Sequence, residues 1–317
     1  MSTTAWAVRT EALTKVFRLG LRGRRMTAVH RVDLAIEPGE IFGFLGANGA
    51  GKTTIFKILT GLVAPTSGEV WIMGRALGAG VSASPIGFLP ESGCYHEFLS
   101  AEEFLRFTGK LCGMSGSRCA DRIDELLEMV GLTGVRQIRL RTFSKGMLQR
   151  IGIAQALIND PPLVILDEPM SGLDPIGRKQ MRELILGLKA AGKTVLFSSH
   201  IVPDVELLCD RVTMLVKGSV VATGRVRDML HPRAHECFEL VIEGLNEEGL
   251  FHLQPLVSRL VHRGHHVMAT VQGDSQVEMV LDVIRSAKAR LVSLMPQQRS
   301  LEELFVPLER EFVEVHR

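Results

Sequence analysis

A short run of small residues that ends in lysine and threonine, residues 46–53, constrains the fold of this chain more than any other feature. It fits the spacing G-x-x-x-x-G-K-[ST], with two glycines, Lys52 and Thr53 at the fixed positions. An apolar segment of buried-strand type, residues 41–45, precedes the run, and apolar residues at helical spacing follow it. A strand, a glycine-rich loop and a helix in this order predict a loop that binds phosphate.

The residue types of this loop suit a phosphate ligand. Glycines let the backbone fold around an anion without a side-chain clash, and the N–H groups of the loop and the following helix then point at it. Lys52 is predicted to contact the β- and γ-phosphates of a nucleotide, and the Thr53 hydroxyl to ligate Mg²⁺. The alternative is a glycine-rich turn with an incidental lysine. The residues predicted to hold the nucleotide here are Gly46, Asn48, Gly49, Gly51, Lys52, Thr53 and, more weakly, Thr54.

Two acids, Asp167 and Glu168, end a second apolar strand at residues 163–166. Burying two carboxylates is costly unless a cation or hydrogen bonds compensate, and a magnesium nucleotide supplies the cation. Asp167 is therefore predicted to hold the metal through water, and Glu168 to polarise an attacking water molecule. An ordinary solvated strand end is the alternative, and the phosphate loop upstream favours the functional interpretation.

Composition excludes several classes of protein. The chain has 317 residues, 46% of them apolar and 23% charged, which is typical of about two folded domains. A net charge of +2 provides no strong global field for nucleic acid, so no such partner is expected. The sequence lacks an uncharged apolar run of membrane-spanning length and an apolar segment near the first methionine, so we expect neither a membrane span nor a secretory signal. Five scattered cysteines predict reduced thiols in a cytosolic protein.

Strand and helix patterns alternate along most of the chain. Strand-type segments separated by helical ones predict a largely parallel sheet with crossover helices. Composition changes near residue 232, where we predict a boundary between domains at 1–232 and 233–317. The second domain is expected to follow a β-α-β-α-β pattern, with residues 249–263 as its first helix.

Three further elements complete a recognisable order. Ser144-Lys145-Gly146-Met147 lies before the acids, Ser171-Gly172-Leu173-Asp174 follows them, and His200 comes after the next strand. With the phosphate loop and the acids, this order resembles the ATP-binding cassette (ABC) ATPase of a membrane transporter, over residues 5 to about 230. The resemblance implies an α/β P-loop NTPase fold. Its parts are a parallel-sheet core, an antiparallel β-subdomain near residues 5–75, a helical subdomain near 92–160, and a small α+β C-terminal domain.

The resemblance also implies roles for single residues. Lys52, Glu168 and His200 would be catalytic, with His200 contacting the γ-phosphate. Ser144 and Gly146 would be signature residues that contact the γ-phosphate held by the opposite subunit, and Asp174 would cross the dimer interface. Phe17 sits where the family stacks an aromatic ring on adenine. Three of these residues have an ordinary alternative: Ser144 suits a helix N-cap, His200 a polar strand end, and Phe17 an edge-strand core.

Two short segments depart from the family pattern. Lys145 and Met147 replace a glycine and a glutamine of the common Leu-Ser-Gly-Gly-Gln signature, a form that resembles the exporter branch with separately encoded permeases. Glu91 stands where the family has a glutamine. A carboxylate there still reaches Mg²⁺ or its water, so the predicted metal ligands are Thr53, Asp167 and Glu91.

The implied function is that of an ATP-binding and ATP-hydrolysing subunit, using ATP and Mg²⁺, that powers export of an unknown substrate through a separate transmembrane permease. Its expected partners are that permease and a second copy of itself, arranged head to tail. The expected location is cytoplasmic, peripheral on the inner face of the cell membrane. Two alternatives remain open: a non-transport ABC ATPase, and a regulatory module that binds ATP and barely hydrolyses it.

Overall fold

The structure, a computed structural model, describes residues 6–19, 24–78, 86–230, 237–297 and 300–315. The chain divides into two compact units, residues 1–225 with 305–317, and residues 226–304. The predicted boundary at residue 232 lies outside the described residues and stays a prediction. None of the helices in these ranges combines the length and the apolar character that a membrane span requires.

The first unit contains ten strands and six complete helices in its described part. Its strands are β1 (Val8–Leu19), β2 (Arg24–Ile36), β3 (Ile41–Leu45), β4 (Ser67–Ile72), β5 (Arg75–Ala76), β6 (Ile86–Leu89), β7 (Leu163–Leu166), β8 (Thr194–Ser199), β9 (Arg211–Val216) and β10 (Ser219–Arg225). Its helices are α1 (Lys52–Leu59), α2 (Ala101–Leu111), α3 (Gly116–Met129), α4 (Lys145–Leu157), α5 (Pro175–Ala190) and α6 (Val202–Leu208).

A six-stranded sheet in the order β10-β9-β3-β8-β7-β6 forms the centre of this unit. All its pairs are parallel except β9 with β10, which confirms the predicted parallel core. Strands β3, β7 and β8 are buried along their whole length because both faces of the sheet are covered. The register pairs Leu45 with Ser199 and Leu89 with Leu166, so the carboxyl ends of these strands lie side by side.

A second sheet of this unit, in the order β2-β1-β4-β5, is antiparallel, as predicted. Its apolar side chains share one cluster with β3 and α1. The predicted helical region also has the expected structure, with α2, α3 and α4 inside residues 92–160. Ser100 and Glu103 form a capping box at the start of α2, and α3 buries Ile123, Leu126 and Leu127 on one face.

The second unit contains α7 (Val226–Leu230), β11 (Cys237–Glu243), α8 (Glu247–Leu253), β12 (Arg259–Arg263), β13 (His266–Gln272), α9 (Asp274–Ser286) and β14 (Arg290–Gln297). Helix α10 (Leu301–Val315) begins in this unit, and its residues from Phe305 onward belong to the first. The sheet is antiparallel with the order β12-β13-β11-β14, and α8, α9 and the strands enclose one apolar cluster. This βαββαβ arrangement is ferredoxin-like and of the expected α+β class.

The prediction of a helix over residues 249–263 is wrong in its second half. Helix α8 ends at Leu253, a short 3-10 turn with Pro255 follows, and residues 259–263 form β12. Gly264, with φ of 58°, makes the tight turn that pairs β12 with β13. Pairing with a neighbouring strand therefore overrides the helical spacing of the apolar residues.

Candidate functional site

The predicted phosphate loop joins β3 to α1 at the carboxyl edge of the central sheet. Helix α1 begins after Gly51, whose φ is 107°, and its first turn carries no acidic residue. A Cβ at Gly51 would lie 2.5 Å from the carbonyl oxygen of Ala28, so only glycine fits here. The helix therefore presents a positive N-terminus at this loop, which suits an anion.

Lys52 connects the loop with the acids. Its ammonium group is buried, donates to the carbonyl oxygens of Gly46 at 2.6 Å and Ala47 at 3.3 Å, and lies 3.2 Å from Glu168 Oε1. The contact with Glu168 is an ion pair without hydrogen-bond geometry, since Oε1 has no hydrogen-bond partner among the described residues. Loop, lysine and acid thus form one connected group.

Asp167 is fully buried at the end of β7. Its Oδ1 accepts a hydrogen bond of 2.6 Å from the Ser198 hydroxyl, whereas its buried Oδ2 has no hydrogen-bond partner in the described part of the chain. A buried carboxylate oxygen without a partner is costly, and a cation or its bound water would remove that cost. The site therefore fits Mg²⁺, with Asp167 and the half-buried Thr53 as candidate ligands.

Glu168 lies between Lys52 and His200. Its Oε2 is 2.9 Å from His200 Nδ1, and its backbone N–H donates to the Ser198 hydroxyl at 2.8 Å. The Glu168 backbone has φ of 50°, an uncommon conformation for a residue with a side chain. The structure thus brings Lys52, Asp167, Glu168 and His200 together, whereas Ser198 was not predicted as a site residue.

Ser144 and Asp174 both begin helices on exposed parts of the first unit. The Ser144 hydroxyl accepts a bond of 3.3 Å from Met147 N at the start of α4, and Asp174 Oδ1 accepts one of 2.8 Å from Gly177 N at the start of α5. Both residues therefore act as N-caps within their own chain. In the described part of the chain, no hydrogen bond or ion pair joins Ser144 or Asp174 to Lys52, Asp167 or Glu168.

Glu91 and Lys145, two of the three residues that depart from the family pattern, line one cavity of about 320 Å³. Gln149 lines it as well and has a buried Oε1 with no hydrogen-bond partner among the described residues. Tyr95 forms part of the wall, and burial raises the pKa of its hydroxyl to about 12. Glu91 follows the end of β6, which is paired in parallel with β7, so it leaves the sheet beside the acids.

Phe17 is half-buried on β1, opposite Met26 of β2. The Lys15 ammonium lies 5.0 Å from the centre of its ring, a cation–π contact. This position leaves part of the ring accessible, and the adenine-stacking role stays a prediction.

Comparisons of the sequence give consistent matches. A protein-family model described as ABC transporter matches residues 29–171. An uncharacterized ABC transporter ATP-binding protein of Synechocystis sp. is 40% identical over 96% of this chain and 85% of its own length. Linearmycin resistance ATP-binding protein LnrL of Bacillus subtilis is 33% identical over 90% of this chain and 94% of its own. Nod factor export ATP-binding protein I of Cupriavidus metallidurans is 36% identical over 74% and 78%, respectively.

Solved structures show the same fold. The ATP-binding cassette MJ0796, a dimer in a post-hydrolysis state bound to ADP and Pi, matches with a TM-score of 0.63 at 27% identity. The match covers 69% of this chain and 99% of that one. An ATP-binding subunit of an ABC transporter matches with a TM-score of 0.62 at 31% identity, over 71% of this chain and 92% of its own.

Proposed function

Because this chain belongs to the ABC transporter family, whose ATP-binding subunits hydrolyse ATP, we propose that it powers the export of a substrate through a separate transmembrane permease. The printed names of two relatives, one for Nod factor export and one for linearmycin resistance, support export. The Ser144-Lys145-Gly146-Met147 form of the signature supports the same branch. As the partner of a permease, the chain would lie on the cytoplasmic face of the membrane.

The contact between Lys52 of the phosphate loop and the buried Glu168 carries the ATP-hydrolysing part of this proposal. The Lys52 ammonium lies 3.2 Å from Glu168 Oε1, and the same ammonium is held by loop carbonyls. A nucleoside triphosphate bound in the loop would place its β- and γ-phosphates against the Lys52 ammonium, which would then pair with them instead of with Glu168. Glu168 would then be released from that ion pair and could polarise a water molecule beside the γ-phosphate.

The other site residues have proposed roles around this contact. Mg²⁺, when bound, neutralises charge on the phosphates, and Thr53, Asp167 and Glu91 would hold it or its water. His200, 2.9 Å from Glu168 Oε2, would orient that carboxylate and meet the γ-phosphate. Phe17 would stack on the adenine, and the loop residues from Gly46 to Thr54 would hold the phosphates.

A second copy of the chain is proposed to complete each site. Ser144 and Asp174 are exposed, as is Ile176, whose apolar side chain is 69% accessible beside Asp174. A two-fold dimer arranged head to tail would place Ser144 and Gly146 of one copy against the γ-phosphate held by the other. An exposed isoleucine at that position suits burial in such an interface.

Glu168→Gln tests the proposal. The variant keeps the shape of the side chain and removes its basic carboxylate, so it should bind ATP, lose at least about 99% of its turnover and accumulate as a dimer with ATP. Turnover and the mass in solution by light scattering measure both effects. Glu183→Gln, an exposed acid on α5, is the matched control and should behave as wild type.

Two results would contradict the proposal. Normal turnover by Glu168→Gln would show that Glu168 takes no part in the reaction. A strictly monomeric Glu168→Gln protein at saturating ATP would show that two copies do not share a site. Wild-type protein that binds ATP without hydrolysing it would indicate a regulatory module. Native protein that purifies without any membrane protein would favour a non-transport ATPase.

A further inference from the structure

We infer that the hydroxyl group of Ser198 is a positioning group that holds both acids of the site, and thereby sets the affinity for Mg²⁺ and the rate of ATP hydrolysis. The inference rests on the proposed function, because it concerns the same reaction. Ser198 is the fifth residue of β8 and is fully buried. Neither the motif spacing nor the family resemblance pointed to it.

One oxygen atom of Ser198 serves both acids. Its O–H donates to Asp167 Oδ1 at 2.6 Å, and the same oxygen accepts from Glu168 N at 2.8 Å. The two acids leave β7, whereas Ser198 lies on the neighbouring strand β8. The hydroxyl therefore fixes the end of β7 to β8 at the point where the chain turns away from the sheet.

The backbone of Glu168 explains why such a contact is needed. Seven non-glycine residues of the described chain have positive φ, and Glu168 is the buried one among them. A residue with a side chain keeps this conformation only where its surroundings hold it. The bond from Glu168 N to Ser198 supplies that support and directs the carboxylate toward Lys52 and His200.

The bond to Asp167 has a separate consequence. Because Ser198 occupies Oδ1, the second oxygen, Oδ2, is the one left for a cation or its bound water. A fixed carboxylate binds a metal more tightly than one that rotates, because less orientation is lost on binding. Removal of the hydroxyl should therefore weaken Mg²⁺ binding as well as slow the reaction.

Thr194 provides the matched comparison on the same strand. It is also buried, and its hydroxyl also accepts a backbone N–H, that of Gly39 at 2.9 Å. It lies at the opposite end of β8, away from the acids. Thr194→Val thus removes a buried hydroxyl of the same kind outside the site. Any loss of folding stability that comes only from losing such a hydrogen bond should therefore appear in Thr194→Val as well as in the Ser198 variants.

The experiment compares Ser198→Ala, Ser198→Thr and Thr194→Val in the full chain. Steady-state ATP hydrolysis gives kcat and KM, calorimetry with ADP gives binding with Mg²⁺ and with EDTA, and thermal scans report folding. We expect Ser198→Ala to lower kcat about 10- to 100-fold. Mg²⁺ should strengthen ADP binding, and the Mg²⁺ concentration that gives half of this effect should rise about 10-fold in the variant. ADP affinity in EDTA should change by less than about twofold, because the phosphate loop is intact.

The controls separate positioning from stability. Ser198→Thr keeps the hydroxyl and should recover kcat to within about threefold of wild type, while Thr194→Val should match wild type in kcat and in Mg²⁺ dependence. Should Ser198→Ala fail to fold, Ser198→Cys replaces it, because the thiol fills the position and hydrogen-bonds weakly. It should show the same losses in kcat and Mg²⁺ dependence.

Specific outcomes overturn the inference. Equal kcat and equal Mg²⁺ dependence in Ser198→Ala (or Ser198→Cys) and Thr194→Val would leave Ser198 no role beyond packing. Folded Ser198→Thr that stays as slow as Ser198→Ala would show that the hydroxyl is not the cause. Wild-type protein without ATP hydrolysis would instead refute the proposed function, so the two failures are distinguishable.

Discussion

At the scale of single residues, the ammonium group of Lys52 has partners on two sides. It is held by two loop carbonyls on one side and by the Glu168 carboxylate on the other. A buried charge of this kind is tolerated because its partners replace water. Loss of Lys52 would therefore leave the buried Glu168 carboxylate with its contact to His200 and without a cationic partner among the described residues.

Lys52→Ala should affect both catalysis and stability. Turnover should fall at least about 100-fold, because the positive charge that Lys52 places beside the transferred phosphate is lost. The free energy of unfolding without nucleotide should fall by about 2 kcal/mol, because Glu168 loses a charged partner. An ATPase assay and urea unfolding measure the two effects.

The double variant Lys52→Ala/Glu168→Gln is the control for that stability loss. A neutral amide needs no cation, so the double variant should regain most of the lost unfolding free energy and none of the activity. If the double variant were as unstable as Lys52→Ala, the Lys52–Glu168 pair would not be the source of the loss.

Motif patterns predicted Lys52, Asp167 and Glu168 as parts of one site, and the family resemblance added His200. All four follow parallel strands at the same edge of the sheet. Ser198 could not be predicted in this way. A serine near the end of an apolar strand has no spacing rule, and its importance depends on the φ of Glu168 and on the position of β7 beside β8. The available signal was a pair of serines, Ser198 and Ser199, between the apolar part of β8 and His200.

At the scale of elements, Glu102 ties the helical region together. It lies in the first turn of α2, is paired with Arg106 one turn later, and accepts bonds from Arg136 Nε at 3.0 Å and Gln137 Nε2 at 2.7 Å. Arg136 also lies 3.0 Å from Asp124 of α3. The Glu102 carboxylate thus links α2 directly to the segment that follows α3, and through Arg136 to α3 itself.

This link predicts a pH dependence of stability. The hydrogen bond from Arg136 lowers the pKa of Glu102 below its ordinary value of 4.5. The link therefore stabilises the fold fully at pH values above 4.5, and its contribution is lost as the pH falls through the lower pKa of the folded protein. Glu102→Gln should cost about 1 kcal/mol of unfolding free energy at pH 7, and less and less below the ordinary pKa.

Urea unfolding of wild type and Glu102→Gln between pH 7 and pH 3.5 would test this. Exposed Glu183→Gln is the control and should change the unfolding free energy by less than about 0.5 kcal/mol at every pH. A difference between wild type and Glu102→Gln that stays constant down to the lowest pH would mean that the charge of Glu102 contributes nothing.

Helices and strands were predicted correctly where the pattern of apolar residues fitted only one of the two, and the prediction failed where the pattern fitted both. Apolar runs such as Leu163–Leu166 are too short for helices and lie before loops, so strands were the natural prediction. Residues 249–263 place leucines and valines at helical intervals, yet Pro255 and Gly264 separate a short helix from a strand. The strand forms because β13 offers a partner, which is information from outside the segment.

At the scale of the whole molecule, the chain keeps its two kinds of site residue apart. Lys52, Asp167 and Glu168 are buried at the sheet edge, whereas Ser144 and Asp174 are exposed helix caps. Sequence order could predict both groups and the class of each folded unit. That two chains complete each site was predicted from the family resemblance alone, because sequence order does not show which surfaces of two copies meet.

Mixing two inactive variants tests how the site is completed. Lys52→Ala disables the phosphate loop of its own chain, and Ser144→Arg should block the proposed contact with a neighbour's γ-phosphate by bulk. In a head-to-tail dimer of one chain of each kind, one site carries both defects and the other carries neither. About half of the dimers in an equal mixture are of this kind if pairing is random, so the mixture should recover turnover although each variant alone is inactive.

The control mixture pairs Lys52→Ala with Glu168→Gln. Both defects lie on the phosphate-loop side, so every site in every dimer carries one of them and no turnover should return. Recovery in the first mixture and not in the second would require that Ser144 act in its neighbour's site, since no other arrangement distinguishes the two pairs. Equal behaviour of the two mixtures, or full activity of Ser144→Arg alone, would mean that each chain hydrolyses ATP with its own residues.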